Sequence, residues 1–383
     1  MAPEAQTPES WDGETERRTS PIDPKRTILT LDEKALLVAD KRFGGIRPPD
    51  LATQNFKEGD ELKQRVARLF DRLEGKVDAK KLEALKASFE SSLATWEKAG
   101  LFSKERVARG FRKPDFAKDY QPLIGVGDTE MMEAGEGLDK GYGRAVWAPE
   151  DVPVADEDPE TLTYLKLAEE ALIRAYKGTV GGKKPNTLLV GPDKRVLTAD
   201  QIDLKNILWQ WERYKKPGIV YNPKELDPKN HGGQSEVEML AALKGTEKET
   251  GGVFRLERDQ LIMPKDIGQD SMSGQDWHAL IKDGKTLPSN VRAQDVKQAL
   301  AYVINCLNTQ GWVPDYYDWN NLASSKVVLA PETYIPDESS AGAVPAFYWN
   351  TNSGRFRAAG NSADLQFTDN GVRGGVRKNK ETA

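Results

Sequence analysis

Apolar residues recur at helical spacing in two neighbouring stretches near the start of the chain, 60–76 and 78–102. Gly75–Asp78 is a short connection between the two apolar patterns, so they predict an antiparallel helical hairpin over 60–100, with Gly100 as a C-cap. The shared apolar stripe is either a docking face for a partner helix or, the favoured interpretation, the packing surface of the hairpin within its own domain. The stripe consists of Leu62, Val66, Leu69, Phe70, Leu73, Leu82, Leu85, Phe89, Leu93 and Trp96.

Helical spacing returns in the middle of the chain and then stops. The stretches 158–178, 198–216 and 293–312 each predict a helix, the second with Thr198 as its N-cap. Beyond Gly311, short apolar runs alternate with Pro, Gly, Ser and Asn, which is typical of short strands joined by long loops. The chain is therefore predicted to be an α+β protein.

Composition shifts along the chain predict its domain organisation. The first residues are rich in Pro, Glu, Thr and Ser, and a later Gly-, Pro- and acid-rich stretch shows no sustained period. We expect a flexible tail at 1–27, a helical unit at 28–109, a linker or long loop at 110–158, and a mixed α+β domain at 159–383 whose C-terminal recognition region spans about 311–383.

The overall composition excludes several classes of protein. The chain is 38% apolar and 30% charged, with a formal net charge of −5, which favours a soluble protein with no general attraction to nucleic acid or anionic membranes. No run approaches the roughly 18 apolar residues of a membrane span. The N-terminal residues lack the apolar segment of a secretory signal, so we expect cytoplasmic synthesis, with signal-independent export or association with a particle left open.

Cysteine and histidine are scarce. One cysteine, Cys306, and two histidines, His231 and His278, rule out an intrachain disulfide and Cys- or His-rich zinc sites. No stretch has the acidic ligand pattern of an EF-hand loop. We therefore predict neither a metal ion nor a cofactor, and we expect Cys306 to act as a small apolar side chain.

The stretch 313–321, VPDYYDWNN, offers the most enzyme-like chemistry. Asp315 and Asp318 flank consecutive aromatic residues, and carboxylates beside aromatic rings are common in glycan chemistry. Together with His278 as a general base, they form a hydrolase hypothesis. A structural loop is the favoured interpretation of this stretch, and saccharide contact is a further alternative.

The segment 345–378 differs from the rest of the chain in its side chains. Three consecutive aromatic residues, Phe347–Trp349, precede a run rich in Asn, Ser, Gly and Arg and poor in aliphatic residues. Rigid aromatic rings with amide and guanidinium groups are typical of protein-recognition surfaces. The alternative is a solvated loop with Trp349 in the core. The predicted binding residues are Tyr348, Trp349, Asn350, Asn352, Arg355, Arg357, Asn361, Asp364 and Asn370.

Three motifs in the last seventy or so residues occur in a recognisable order: VVLAPETYIP, then AFYW, then GVRGGVR. This order resembles the end of C-type-lectin-like domains of the formylglycine-generating-enzyme type, including the ligand-binding variable proteins diversified by retroelements. The resemblance implies a last strand anchored by Val372 and Val376 and a binding face just before it, formed by Trp349, Asn350, Asn352, Arg355, Arg357, Asn361, Asp364 and Asn370. The single cysteine departs from the cysteine pair of the oxidases, and DWNN at 318–321 only partly matches the calcium-lectin motif, so the resemblance implies a fold and a binding role alone.

The leading hypothesis is thus a non-enzymatic recognition protein that binds another macromolecule, in the first place a protein, through its C-terminal face. One alternative is the hydrolase that uses Asp315 or Asp318 with His278. The other is a structural or assembly component of a phage or injection-type particle, with the hairpin at 60–100 as a contact for a partner helix.

Overall fold

The computed structural model describes residues 79–120, 142–209, 214, 218–221, 233–244, 250–283, 291–336 and 342–377. The helices in these ranges are α1 (Ala79–Lys98), α2 (Lys104–Ala108), α3 (Tyr164–Lys177), α4 (Glu236–Leu243), α5 (Gly274–Asp283) and α6 (Val296–Gln310). The strands are β1 (Tyr142–Pro149), β2 (Leu188–Val190), β3 (Arg195–Leu197), β4 (Leu208–Trp209), β5 (Val220–Tyr221), β6 (Gln234–Ser235), β7 (Gly252–Ile262), β8 (Val291–Arg292), β9 (Trp312–Val313), β10 (Tyr316–Tyr317), β11 (Val327–Leu329), β12 (Thr333–Tyr334), β13 (Ala343–Asn350), β14 (Arg355–Ser362) and β15 (Asn370–Arg377). The predicted α+β class is confirmed, and no helix in these ranges is long and apolar enough to cross a bilayer.

Some predictions concern residues outside the described ranges. They are the tail at 1–27, the first helix of the hairpin, the 121–141 part of the linker, and His231. All the described residues belong to one compact unit, Gly75–Ala383.

A mixed sheet organises the described part of the chain. This sheet has nine strands. Seven of them follow the order β1-β7-β15-β11-β13-β14-β4, with β10 added beside β13 and β8 beside β15. The last strand, β15, therefore lies inside the sheet, antiparallel to β7 and parallel to β11. This arrangement ties the C-terminal segment to residues that precede it by more than a hundred positions.

Helices cover both faces of the sheet. Along β13, Phe347 and Trp349 belong to the same apolar cluster as the residues of α1, α3 and α6. The alternate positions, Ala346 and Tyr348, belong to a second apolar cluster, together with Trp277 of α5. Since successive side chains of a strand point to opposite faces, α6 and α5 lie on opposite sides of the sheet.

The central helix, α6, shows why the helical prediction for 293–312 succeeded. Asp295 caps its N-terminus by accepting a hydrogen bond from the Gln298 N–H, and Gly311 ends it in the left-handed conformation, with φ of 68°. Every residue from Val296 to Leu307 is buried, so the helix is packed on all sides.

The apolar stripe of α1 faces the interior of its own domain. Leu85, Phe89, Leu93 and Trp96 are all buried in the larger apolar cluster. For α1 this agrees with the favoured interpretation, in which the stripe packs within its own domain, and not with a docking face for a partner helix.

Part of the stretch predicted to be a linker, 110–158, is an edge strand of the sheet. β1 pairs with β7 on one side, and α1 covers its other side. The Ala145 N–H donates to Ser88 Oγ at 2.8 Å, and the Trp147 N–H donates to Ser92 Oγ at 3.3 Å. Two helix serines thus satisfy backbone donors that an open sheet edge would leave unpaired.

The predicted helix at 198–216 does not form in its described residues. Thr198 caps only a short 3₁₀ turn, Ala199–Gln201, and the chain then enters β4, which runs parallel to β14. The Phe356 N–H donates to the Ile207 carbonyl at 2.7 Å. Pairing with the sheet therefore overrides the helical spacing of this stretch, and it places Trp209 on the sheet.

Candidate ligand-recognition site

The β13–β14 hairpin carries most of the residues that the sequence singled out. Tyr348 pairs with Arg357 across the two strands, and Asn350 pairs with Arg355. In the turn, Asn350 Oδ1 accepts hydrogen bonds from the backbone N–H groups of residues 352 and 353, both at 3.0 Å. Gly354 has φ of +64°, and a Cβ there would lie 2.6 Å from the Gln201 carbonyl oxygen, so the turn requires glycine at this position. The turn is accordingly fixed by the Asn350 side chain and by the close approach of Gly354 to Gln201.

Several predicted binding residues are buried, which corrects the expectation that they point outward. Trp349 is fully buried in the cluster that includes α6, Asn350 supports the turn, and Asn370 lies inside the sheet beside β11. Tyr348 is also largely buried. The physical reason is that all eight positions of β13 are covered, because helices pack on both faces of this strand.

The other predicted residues reach the surface to different extents. Asn352 and Asp364 are exposed, whereas Arg355, Arg357 and Asn361 are partly exposed. The predicted binding set is therefore split between the core and the surface, and only its surface members are available to a ligand.

Four neighbouring strands, together with the turn that follows β10, combine aromatic and arginine side chains into one continuous row. Three of its members come from the predicted set, and the other three come from 313–321 and from β4. We call this row the aromatic–arginine strip. In spatial order it consists of Trp319, Tyr317, Tyr348, Arg357, Trp209 and Arg355.

The members of the aromatic–arginine strip are in contact from end to end. The ring centroids of Trp319 and Tyr317 are 5.5 Å apart, and those of Tyr317 and Tyr348 are 5.6 Å apart. The Arg357 guanidinium lies 5.5 Å from the Tyr348 ring centroid and 5.4 Å from that of Trp209. These distances fit edge-to-face aromatic contacts and cation–π contacts, so each side chain restricts the conformation of the next.

Hydrogen bonds hold both arginines of the strip in place. Arg355 forms an ion pair with Asp203, donating from Nε at 2.8 Å, and Arg357 donates from Nη1 to the Tyr348 hydroxyl. Burial raises the pKa of the Tyr348 phenol, and it also raises that of Tyr317. Both phenols therefore stay neutral near pH 7 and keep their hydroxyl groups for hydrogen bonding.

Trp319 is the most exposed member of the strip, with 64% of its surface accessible. Tyr317 and Trp209 are partly exposed. In the sequence, residues 317 and 319 belong only to an enzyme-like stretch, and Trp209 lies in a stretch whose spacing predicts a helix. The parallel pairing of β10 with β13 and of β4 with β14 brings the three together, and no local sequence signal encodes such pairing.

The residues of the hydrolase hypothesis do not come together. His278 is buried on α5, where its Nδ1 lies 2.8 Å from the Pro331 carbonyl oxygen. Asp315 lies on the opposite face of the sheet, with α6, because its carboxylate is bound to Arg373, whose ring contact is Tyr302 of α6. Asp318 accepts from the Asn320 N–H and ion-pairs with Arg195. Asp315 and His278 therefore lie on opposite faces of the sheet, and the hydrolase hypothesis stays a prediction that these contacts do not support.

Asp315 has a structural role that the sequence did not reveal. Arg373 donates to both of its carboxylate oxygens, from Nη2 at 2.9 Å and from Nη1 at 3.0 Å. The two side chains are only 1% and 4% exposed, and the Arg373 guanidinium lies 4.1 Å from the Tyr302 ring centroid. This bidentate pair joins the start of β10 to the last strand, so it holds one end of the strip against the core.

Neither a reactive thiol nor a metal-binding cluster is present in the described part of the chain. Cys306 is buried on α6, where burial raises the pKa of its thiol to about 11, so the thiol stays protonated and unreactive near neutral pH. Within the described ranges, no three His, Cys, Asp or Glu side chains converge in a way that would hold a metal ion.

No protein-family model, no curated protein and no solved structure matches this chain. The interpretation of the site therefore depends on its geometry and on the chemistry of its side chains.

Proposed function

We propose that the protein is a non-enzymatic recognition protein and that the aromatic–arginine strip binds another protein. The observation that carries this proposal is the unbroken row of six aromatic and guanidinium side chains across four paired strands and the turn after β10. Tyr, Trp and Arg are the residues that contribute most to binding in protein interfaces.

Rigidity also supports the proposal. A flexible surface loses conformational entropy when it binds, whereas a surface already held in its bound arrangement loses little. The strip is held by strand pairing, by the Asp203–Arg355 ion pair and by the Arg357–Tyr348 hydrogen bond.

The proposal includes the C-type-lectin-like fold for the region 311–383. The three motifs behind that resemblance overlap β11, β13 and β15, and these strands are immediate neighbours in the sheet, in the order β15-β11-β13. The binding face implied by the resemblance lies just before the last strand, and Arg355 and Arg357 of the strip belong to it.

The test is the selection of binders from a random peptide library displayed on phage. We expect the wild-type protein to enrich a set of sequences, and we expect Trp319→Ala or Arg357→Ala to weaken binding of those peptides by about 30-fold, the effect of losing a residue worth about 2 kcal/mol. The Trp319→Ala protein should keep its melting temperature, because that side chain is largely exposed.

The matched control is Val107→Ala, which truncates another exposed apolar side chain. Val107 lies on α2, next to Arg106, whose ion pair with Asp151 places it beyond β1 at the far end of the sheet. This variant should bind the selected peptides as the wild type does. A selection that enriches nothing, or peptides that bind both strip variants normally, would contradict the proposal.

A further inference from the structure

A pocket opens between the helices that cover one face of the sheet. Residues of α1 and α3 form its walls, and α6 reaches it through Asn308. Its volume is about 380 Å³, which lies in the range of small-molecule sites. The three helices belong to the apolar cluster on one face of β13, whereas Tyr348 of the aromatic–arginine strip belongs to the cluster on the other face. The pocket is therefore separate from the strip.

Hydrogen bonds between the three helices hold the walls of the pocket in place. Asn308 Nδ2 donates to Thr95 Oγ1 of α1 at 2.5 Å, and Asn308 Oδ1 accepts from Arg174 Nη2 of α3 at 3.1 Å. The ring centroids of Trp96 on α1 and Tyr164 on α3 are 4.9 Å apart. One amide group thus joins both walls, so the pocket is formed before any ligand enters it.

Three charged side chains line the pocket, two of them basic and one acidic. Lys98 belongs to the last turn of α1, whereas Glu170 and Arg174 lie about one turn apart on α3. All three are exposed, so a ligand can reach them. Arg174 is oriented by Asn308, to which it donates from both Nε and Nη2. The pocket therefore presents a positive group on each helix and a negative group on α3.

The remaining lining is largely apolar. Leu162 and Leu167 contribute apolar surface on the side of α3, and both pack in the larger apolar cluster. On the opposite wall, Ala94 and Ala99 have short side chains that leave the space between the helices open. Opposite charges and apolar surface thus meet in one pocket.

We propose that this pocket binds a small zwitterion of the α-amino-acid type with an apolar side chain. The carboxylate of the ligand lies between Lys98 and Arg174, its ammonium group lies beside Glu170, and its side chain packs on Leu162 and Leu167. The inference goes beyond the proposed function, because it assigns a second site, for a small molecule, on the other face of the sheet.

The charges of the lining select this class of ligand over others. The guanidinium of Arg174 donates in the planar arrangement that a carboxylate accepts. A simple anion would leave Glu170 without a complementary charge, and a neutral ligand would leave all three charged groups without one. A zwitterion with its two charges on neighbouring atoms matches both signs in a single small molecule.

The experiment measures saturation-transfer difference NMR of three matched probes with the full-length wild-type chain. Leucine carries both charges, N-acetyl-leucine lacks the ammonium group, and leucinamide lacks the carboxylate. We expect leucine to bind with a dissociation constant of about 1 mM, which is ordinary for a ligand of this size. Each analogue should bind about tenfold more weakly, because it loses one charge-assisted contact. No saturable signal from leucine, or equal binding of all three probes, would overturn the inference.

Two variants test the position of the ligand. Lys98→Gln should weaken the binding of leucine about tenfold and leave that of leucinamide unchanged, because leucinamide lacks the group that Lys98 contacts. Ala94→Leu fills the pocket, keeps every charge and should abolish the binding of leucine. Both positions are exposed, so the melting temperatures should stay close to that of the wild type.

Lys86→Gln is the matched control. It makes the same change of charge on α1, about 18 Å along the helix axis from Lys98, at an exposed residue paired with Glu90. This variant should bind leucine as the wild type does. An equal loss in the two Gln variants would mean that net charge matters rather than the pocket, and it would overturn the inference.

The outcomes also separate this inference from the proposed function. Trp319→Ala removes a residue of the strip and should leave the binding of leucine unchanged. Loss of leucine binding in that variant would place the ligand on the strip and overturn the inference. Failure of leucine to bind leaves the peptide selection on the strip unaffected, since the strip and the pocket share no residue.

Discussion

Replacing Arg373 with methionine is expected to lower the free energy of unfolding by about 3–5 kcal/mol, the usual cost of leaving one member of a buried ion pair without its partner. Arg373 is almost fully buried, and both of its terminal nitrogens bind Asp315. Methionine fills a similar volume but leaves the buried Asp315 carboxylate without its ion-pair partner. Urea denaturation at pH 7 measures the difference.

The pH dependence of this variant follows from the same pair. Burial raises the pKa of Asp315, and Arg373 acts in the opposite direction. Without Arg373 the folded-state pKa of Asp315 rises further above the unfolded value, so the protonated carboxyl favours the folded state. The variant should therefore lose less stability relative to the wild type in mild acid than at pH 7.

Two further proteins control for this prediction. Arg195→Met removes a partly exposed ion pair with Asp318, and its cost should stay within about 1 kcal/mol. Arg373→Met combined with Asp315→Leu removes both charges and should recover most of the lost stability. If Arg373→Met costs no more than Arg195→Met, the structural role assigned to the buried pair is wrong.

Replacing Trp349 with alanine is expected to cost about 3–5 kcal/mol, because it opens a cavity under the β13–β14 hairpin. The indole is fully buried, in the same apolar cluster as Phe347, Phe356 and the residues of α6. The recognition hypothesis from the sequence made Trp349 a surface contact whose loss spares stability. Thermal and urea denaturation of the variant decide between the two.

The matched control is Trp319→Ala. The same side chain is removed, but Trp319 is mostly exposed, so its loss should change the free energy of unfolding by only about 0.5 kcal/mol. Similar stabilities for the two alanine variants would contradict the burial of Trp349.

Helices that depend on local signals were predictable from the sequence. In α6 the apolar spacing, the N-cap at Asp295 and the ending at Gly311 agree with one another. In the stretch 198–216, by contrast, the local signals do not agree with the tertiary structure. Thr198 and the apolar spacing favour a helix there, but β14 offers backbone pairing to residues 208 and 209. Local pattern carries no information about a strand that lies 148 positions further along the chain.

The candidate site was predictable in composition but not in orientation. The aromatic run Phe347–Trp349 identified the right hairpin, since Tyr348 and its partner Arg357 belong to the strip. Which rings of the run face the strip depends on the residues that pack against each face of β13. Phe347 and Trp349 pack on the side of α6, so Tyr348 is the ring that belongs to the strip. Aromatic residues do not show the apolar–polar alternation that would have revealed this, because both faces of the strand are covered.

The most direct test of the central claim is a fluorine NMR titration of the protein labelled with 5-fluorotryptophan, using a peptide selected on the wild type. If the aromatic–arginine strip is the binding face, the resonances of Trp319 and Trp209 shift on binding, while those of the buried Trp96, Trp277 and Trp349 stay in place. Saturation with the peptide that leaves Trp319 and Trp209 unshifted, or that moves only the buried tryptophans, would contradict the account.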